Sequence, residues 1–279
     1  MGLSHTDQIL SDTFGWIYTI VWGASFYGQI WEIFVLKNCE GIQLDYVLLN
    51  FFGYTFYSIY SSFGYFNPEG SGVGEVDIQD LVFCYHGLIL NFVTIGQCIY
   101  YPKGKNKINL YAKILASVLV GYSIIYCFLT NVFDLFTPPD SLNTLNLLGY
   151  NKLVITLVKY TPQVYWNYKR KSTVGWNICN VLCDFSGGFF SLAQTVVQTA
   201  GGDKSSISGG LNIAKFLLGL ITMFYDSIFI VQHYCLYRKK SQKEFNEILE
   251  HNKEDEYIGL GLNKQFVENE ENSYVSQIH

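Results

Sequence analysis

Charge is scarce in this chain. Only 15% of its 279 residues are Asp, Glu, Lys or Arg, against about 25% in an ordinary soluble domain. The deficit is uneven: residues 13–237 are poor in charge, whereas residues 238–279 are dense in Lys, Glu and Asn and supply most of the net charge of −5. No basic stripe with interleaved aromatics runs outside the short loops, which excludes nucleic acid as a partner. No basic segment precedes the first apolar run in MGLSHTDQIL, so no cleavable signal peptide is expected. Met1-Gly2 followed by Thr6 fits the loose N-myristoylation pattern, but the topology derived below puts this end away from the cytosol. The seven cysteines are odd in number and lack zinc spacing. They are expected as small buried packing residues. No nucleophile–base pairing, metal motif or phosphate loop is visible, so neither an enzyme nor a cofactor is expected.

What the chain does have is apolar length. A run of about 20 apolar residues crosses a bilayer, and seven such runs occur, at 14–36, 43–66, 80–101, 108–133, 142–166, 176–198 and 211–237. The connections between them are short and rich in Gly, Pro, Asn and Asp. Basic residues sort to one side. Lys37, Lys103, Lys105, Lys107, Lys169, Arg170, Lys171, Arg238, Lys239 and Lys240 lie in alternate loops and the tail, against Lys204 alone on the other face. By the positive-inside rule the C-terminus is cytosolic and the N-terminus lumenal or extracellular.

The chain also repeats. SFYGQIWEIFVLKNCEGIQLDYVLLNFFGY (25–54) aligns without gaps to KYTPQVYWNYKRKSTVGWNICNVLCDFSGG (159–188), an offset of 134 residues. Gln29 falls on Gln163, Lys37 on Lys171, Gly41 on Gly175, Asn50 on Asp184 and Gly53 on Gly187. This predicts two three-helix units joined by a connecting span, a 3+1+3 parallel repeat of three-helix bundles in an all-α, seven-span membrane protein. The expected divisions are a short lumenal N-terminus (1–13), a first bundle (14–101), a linker with span 4 (102–141), a second bundle (142–237) and a charged cytosolic tail (238–279). Transporters often bind substrate near the bilayer midplane between such repeats.

Polar residues at membrane depth mark function, because an unpaired charge there is costly. Lys152, Thr156, Lys159 and Gln163 form one stripe at helical spacing. Asn177, Asn180, Asp184, Gly187, Gly188 and Ser191 form a second. Lys215, Thr222 and Asp226 form a third, extended by His233. Asn50 opens a matching face, Asp80 begins the third span, and His86 is read as a core residue. Lysines suit carboxylates and Asp184 with Asn180 suits ammonium groups, so a zwitterion fits better than a sugar. A carboxylate in such a cavity can take a proton from an acidic face and release it to a neutral one, which suggests Asp226 and Asp184 as a proton-coupling pair. Pro162 removes a helix hydrogen bond, and Gly187-Gly188 permits close helix approach, so both are candidate flexible points.

LVKYTPQVYWNYKRKSTVGWNICNVLCDFSGGFFSLAQ resembles the second motif of the PQ-loop transporter family. More narrowly, it resembles the family's cystine–proton symporters, as do IFIVQHYCLYRKK (228–240), IQDLVFCYHG (78–87) and SFYGQ…GIQLDYVLLN. The likeness spans residues 20–240. It implies the seven-helix fold shared with SWEET proteins. It also implies proton-coupled export of cystine from an acidic lumen by alternating access, in a lysosomal, vacuolar or endosomal membrane. Residue by residue, it implies a substrate cavity of Lys152, Lys159, Asn167, Asn180, Asp184 and Asn50. Proton coupling falls on Asp184, Asp226 and Asp80, and hinges on Pro162, Gln163, Gly28 and Gln29. The implied partners are cystine or another small amino acid, protons, the lipid bilayer and sorting adaptors at the tail, where Tyr257-Ile258-Gly259-Leu260 fits a tyrosine-based sorting pattern. Three departures stand out: Gly28-Gln29 replaces the first Pro-Gln, Ile33 stands where the second copy has Asn167, and Glu32 adds an intramembrane acid. Two alternatives remain open, a PQ-loop exporter of lysine or arginine and a non-transporting membrane receptor or scaffold.

Overall fold

Apolar runs bounded by Ser, Asn, Asp and Gln caps become helices. The computed structural model describes residues 4–67, 73, 76–132, 142–200 and 211–259, with the backbone alone for 132, 200, 211–215 and 256–259. Among the described residues all regular elements are helical. They are α1 (His5–Leu36), α2 (Leu44–Phe66), α3 (Ile78–Tyr100), α4 (Leu110–Cys127), α5 (Thr144–Arg170), α6 (Ile178–Ala200), α7 (Leu211–Val231) and α8 (Arg238–Gly259). Short π-helical turns extend α4 over Phe128–Val132 and α7 over Gln232–Leu236.

Three described helical stretches, Ile78–Tyr100, Leu110–Asn131 and Phe216–Leu236, are long and apolar enough to cross a membrane by composition alone. α1, α2, α5 and α6 are as long, but carry the inward polar residues of the stripes. α1 starts earlier than the apolar run at 14, so residues 5–13 are helical. Ser4 is the cause: its Oγ accepts from Asp7 N at 3.2 Å and donates to Asp7 Oδ2 at 2.6 Å, satisfying the first-turn donors. The tail is also more ordered than a charged segment suggests, since α8 takes up its first 22 residues.

The packing pairs are related by the 134-residue offset. α3 packs against both α1 and α2, and α7 against both α5 and α6. Between the halves, α1 lies along α6 and α2 along α5. α4 touches α2 and α5. Lys37 and Lys171, equivalent in the repeat, both close their helices in the left-handed conformation, at φ 50° and 54°.

The cysteines divide. Cys39, Cys84 and Cys98 are buried, whereas Cys127, Cys179 and Cys235 are exposed on the outer face. A small apolar thiol is tolerated on either side, and only the first set packs as expected. His86 is half-buried rather than core: one ring nitrogen pairs with Tyr27 Oη at 3.0 Å. The side chain of Lys215, Lys204, Met1-Gly2 and the Tyr257–Leu260 pattern lie outside the residues described in atomic detail.

Candidate functional site

The polar stripes converge in two places. The first is a cavity between the halves, lined on one side by Lys152, Thr156, Lys159 and Tyr160 of α5, Asp184 of α6 and Thr222 of α7, and on the other by Trp22 of α1, Tyr54 of α2 and Asp80 of α3. α5 supplies both lysines because they are seven residues apart, two turns and about 10 Å along one helix face. Lys159 is 5% exposed. Its Nζ donates to Asn50 Oδ1 at 2.8 Å and lies 4.5 Å from the Tyr160 ring centre. Asn50 is held in turn by its Nδ2 donating to Asn91 Oδ1 at 2.9 Å. Lys152 Nζ sits 3.7 Å over the Tyr54 ring, a cation–π contact that keeps a buried ammonium oriented without a carboxylate partner.

Asp184 is positioned from two helices. Tyr160 Oη donates to its Oδ2 at 2.8 Å, and Trp22 Nε1 donates to its main-chain oxygen at 2.9 Å. Gly187, one turn on, has no Cβ because the Trp22 indole occupies that space. Asp80 receives Tyr18 Oη at 2.6 Å, and Tyr57 reaches the same carboxylate. Asp226 is 1% exposed, yet among the described residues no donor reaches its Oδ2. Asp184 and Lys159 are the charged groups that act on it. The cavity leaves about 50 Å³ for water-sized molecules, room for a few waters.

The second place is a latch where the two loops after α1 and α5 meet. Gln163 Oε1 accepts from Gln43 N at 2.7 Å, and its Nε2 donates to Gly41 O at 3.0 Å. Gln29, its counterpart, repeats this in the other half. Its Nε2 donates to Gly175 O at 2.9 Å, and its Oε1 accepts from Asn177 N at 3.1 Å. Each glutamine therefore grips the other half's loop. The loops themselves touch, since a Cβ on Gly41 would run into Val174 O and the Gly175 backbone, and Gly175 holds φ +83°. Gly175→Ala is expected to cost about 1–3 kcal/mol through this clash and the left-handed backbone. A thermal melt of the purified protein measures it; an unchanged midpoint would contradict the latch.

Several sequence expectations move from cavity to latch. Asn167, expected in the substrate cavity, is fully buried beside Gln163: its Oδ1 accepts from Gln163 Nε2 at 2.9 Å and its Nδ2 donates to Gln232 Oε1 at 3.1 Å. Asn180 also stands by the latch, its main-chain N donating to Asn177 Oδ1 at 2.8 Å, and neither asparagine is among the cavity-lining residues. His233 is at this end too, bonded to Thr173 Oγ1 at 2.9 Å. Pro162 lies inside α5, which runs unbroken from Thr144 to Arg170. Gly28 is explained by space rather than freedom. It is not at positive φ, and a Cβ there would come 2.6 Å from Asn177 Oδ1. Glu32 holds that asparagine in place: its Oε2 accepts from Asn177 Nδ2 and its Oε1 from Gly175 N, both at 2.7 Å. Glu32 and Gly28 are thus one feature, an acid that fixes Asn177 into the volume a Cβ at position 28 would need. Trp22, Tyr160 and Tyr18 went unnoticed in the sequence because an aromatic at helical spacing reads as core. The second-copy alignment was the signal for the latch, as it pairs Gln29 with Gln163 and Gly41 with Gly175.

The family model described as "PQ loop repeat" matches residues 10–70 and 144–201, two segments whose starts are separated by the same offset as the internal repeat. The chain is 37% identical over 253 residues to a cystinosin homolog of Dictyostelium discoideum, covering 88% of this chain and 87% of that protein. The chain belongs to the cystinosin group of PQ-loop proteins. Cystinosin of Bos taurus is 36% identical over 246 residues, with 85% of this chain and 66% of the bovine protein aligned, so the chain spans about two thirds of that relative's length. A protein of Saccharomyces cerevisiae named cystine transporter is 29% identical over 248 residues, with 83% and 95% covered. In cystinosin terms, the two matched segments carry the latch glutamines and Asp184, while Asp80 and Asp226 lie outside them.

Proposed function

We propose that this chain is a cystine transporter that moves its cargo through the cavity between its two halves by alternating access. The observation that carries the reading is the cavity itself, which sets two lysines and aspartates among aromatic side chains at the interface of two repeated halves. Cystine has two carboxylates, two ammonium groups and an apolar disulfide bridge. Lys152 and Lys159, about 10 Å apart on one face, suit the two carboxylates. Asp184 suits an ammonium group, and Trp22, Tyr54 and Tyr160 suit the polarizable sulfurs. The names of the relatives point the same way.

The finer reading follows from this. The membrane part is a 3+1+3 arrangement in which α1–α3 and α5–α7 are the moving bundles and α4 joins them. The exchange of packing partners between the halves supports it. The basic loops face the cytosol, so the glutamine latch closes the cytosolic side and Tyr18–Asp80 lies towards the lumen of a lysosome-like or vacuolar compartment. Asp226, with one oxygen free of donors, carries the transported proton and exchanges it with Asp184; Asp80 is the lumenal acid of the same relay. Asn50 sets Lys159 from behind, and Asn167 and Asn180 act on the substrate through the latch. Fixed lysines in the cavity disfavour a cationic side chain, which weighs against lysine or arginine as cargo. Competition for bound radiolabelled cystine by unlabelled cystine, lysine, arginine and glucose tests the substrate: cystine alone is expected to compete, and displacement by lysine instead would overturn the reading.

A further inference from the structure

α8 is too charged to cross a membrane, and it does not trail away from the bundle. It runs back over the end that carries the latch and touches both halves. Lys240 Nζ donates to Arg170 O at 2.6 Å, at the last turn of α5. Twelve residues later, Asn252 Nδ2 donates to Leu36 O at 3.0 Å, at the last turn of α1. Leu36 and Arg170 are the same position in the two copies of the repeat, so α8 caps equivalent carbonyls of two equivalent helices. Those carbonyls have no partner within their own helices; Leu36 O also accepts from Asn38 Nδ2 at 3.1 Å, beside the Asn252 amide. Twelve residues of helix span about 18 Å, so one rigid rod sets the distance between the two helix ends.

The Lys240 end is anchored more heavily. Ser241 Oγ accepts from Thr173 N at 2.9 Å, and Arg170 Nη2 meets Glu244 Oε1 at 2.6 Å, with both side chains mostly covered. Phe245, Ile248 and Leu249 turn half-buried towards the bundle. At the other end the Asn252 amide also lies 3.5 Å from Val35 O. One helix fixed to the end of each half is the build of a strap.

We propose that α8 is a strap that holds the two halves together at the latch face and must release from α1 before that face opens. The inference rests on the transport reading above, in which the two halves separate there. Release at Asn252 leaves α8 attached to the second half through Ser241 and Glu244, so the strap swings rather than unfolds. α8 is thereby a built-in brake on cargo release, set by contacts outside the substrate cavity.

Spin labels at Phe34→Cys and Tyr168→Cys, exposed and equivalent in the two halves, report the separation by double electron–electron resonance in a background whose native cysteines are replaced. Asn252→Leu is expected to raise the ratio of long to short distances about fivefold, the scale of losing one capping hydrogen bond. A chain ending at Tyr237 should shift it further. Should the truncated chain fail to fold, Asn252→Leu paired with Lys240→Met gives the same readout with α8 intact. Identical distance distributions in wild type and Asn252→Leu would overturn the strap. Because the distances are read without cargo, a shifted distribution with no cystine flux would sink the transport reading and leave the strap standing.

Discussion

Asp226→Asn is expected to abolish proton-driven accumulation of cystine while leaving cystine-for-cystine exchange in place. Asn keeps the size of the side chain and its buried position, and the cavity does not include it among its lining residues. What it removes is a titratable carboxylate whose Oδ2 no donor reaches among the described residues. A proton bound there faces Asp184 and Lys159, so its arrival changes the charge balance of the cavity, and an amide cannot reproduce that change. With one proton carried per cystine, a gradient of one pH unit supports about tenfold accumulation. In proteoliposomes the variant should reach the external concentration and stop. Accumulation equal to wild type would remove Asp226 from the coupling and return that role to Asp184 or Asp80.

Lys159→Met should cost more at the level of binding. Lys159 is the hub of the site: Asn50 holds its Nζ, two tyrosine rings flank it, and Asp184 and Asp226 both feel its charge. Methionine fills a similar volume but leaves Asp184 and Asp226 without this cation and Asn50 Oδ1 without its donor. Removing one member of a buried charge group costs about 2–5 kcal/mol, so cystine affinity is expected to fall at least about 30-fold, with folding checked by the melt. Lys152→Met should weaken binding less, because Lys152 rests on a tyrosine face and its loss strips no hydrogen bond. Equal effects at the two lysines would argue that they clamp one cystine symmetrically, and no effect at Lys159 would remove it from the site.

Much of this was legible from the residues. Apolar length marked the places of α1 to α7, because a bilayer leaves the backbone no other way to bond itself. The lysine and aspartate stripes led to the cavity, since charge at that depth has few other uses. The repeat gave the pairing of halves. What stayed hidden depends on three-dimensional reciprocity. Gln29 and Gln163 looked like parts of hinges, yet each holds the opposite loop, an arrangement visible only once α1 lies on α6 and α2 on α5. Asn167 and Asn180 shared a helix face with cavity residues but sit a turn or more beyond it, where the face meets the latch. Glu32 looked like an anomaly until Asn177 was seen filling the space beside Gly28. α8 was hidden by its composition: charge at high density reads as a solvated tail, and the contacts of Lys240, Ser241, Glu244 and Asn252 with the bundle show that it folds back.

The central claim, that two repeated halves pass cystine through one charged cavity, has a direct test in uptake of radiolabelled cystine by proteoliposomes of the full chain under an imposed pH gradient. The account predicts uptake above protein-free vesicles, dissipation by a protonophore, and loss in Lys159→Met. Cystine flux no greater than in empty vesicles, from protein with an intact melt, would contradict it.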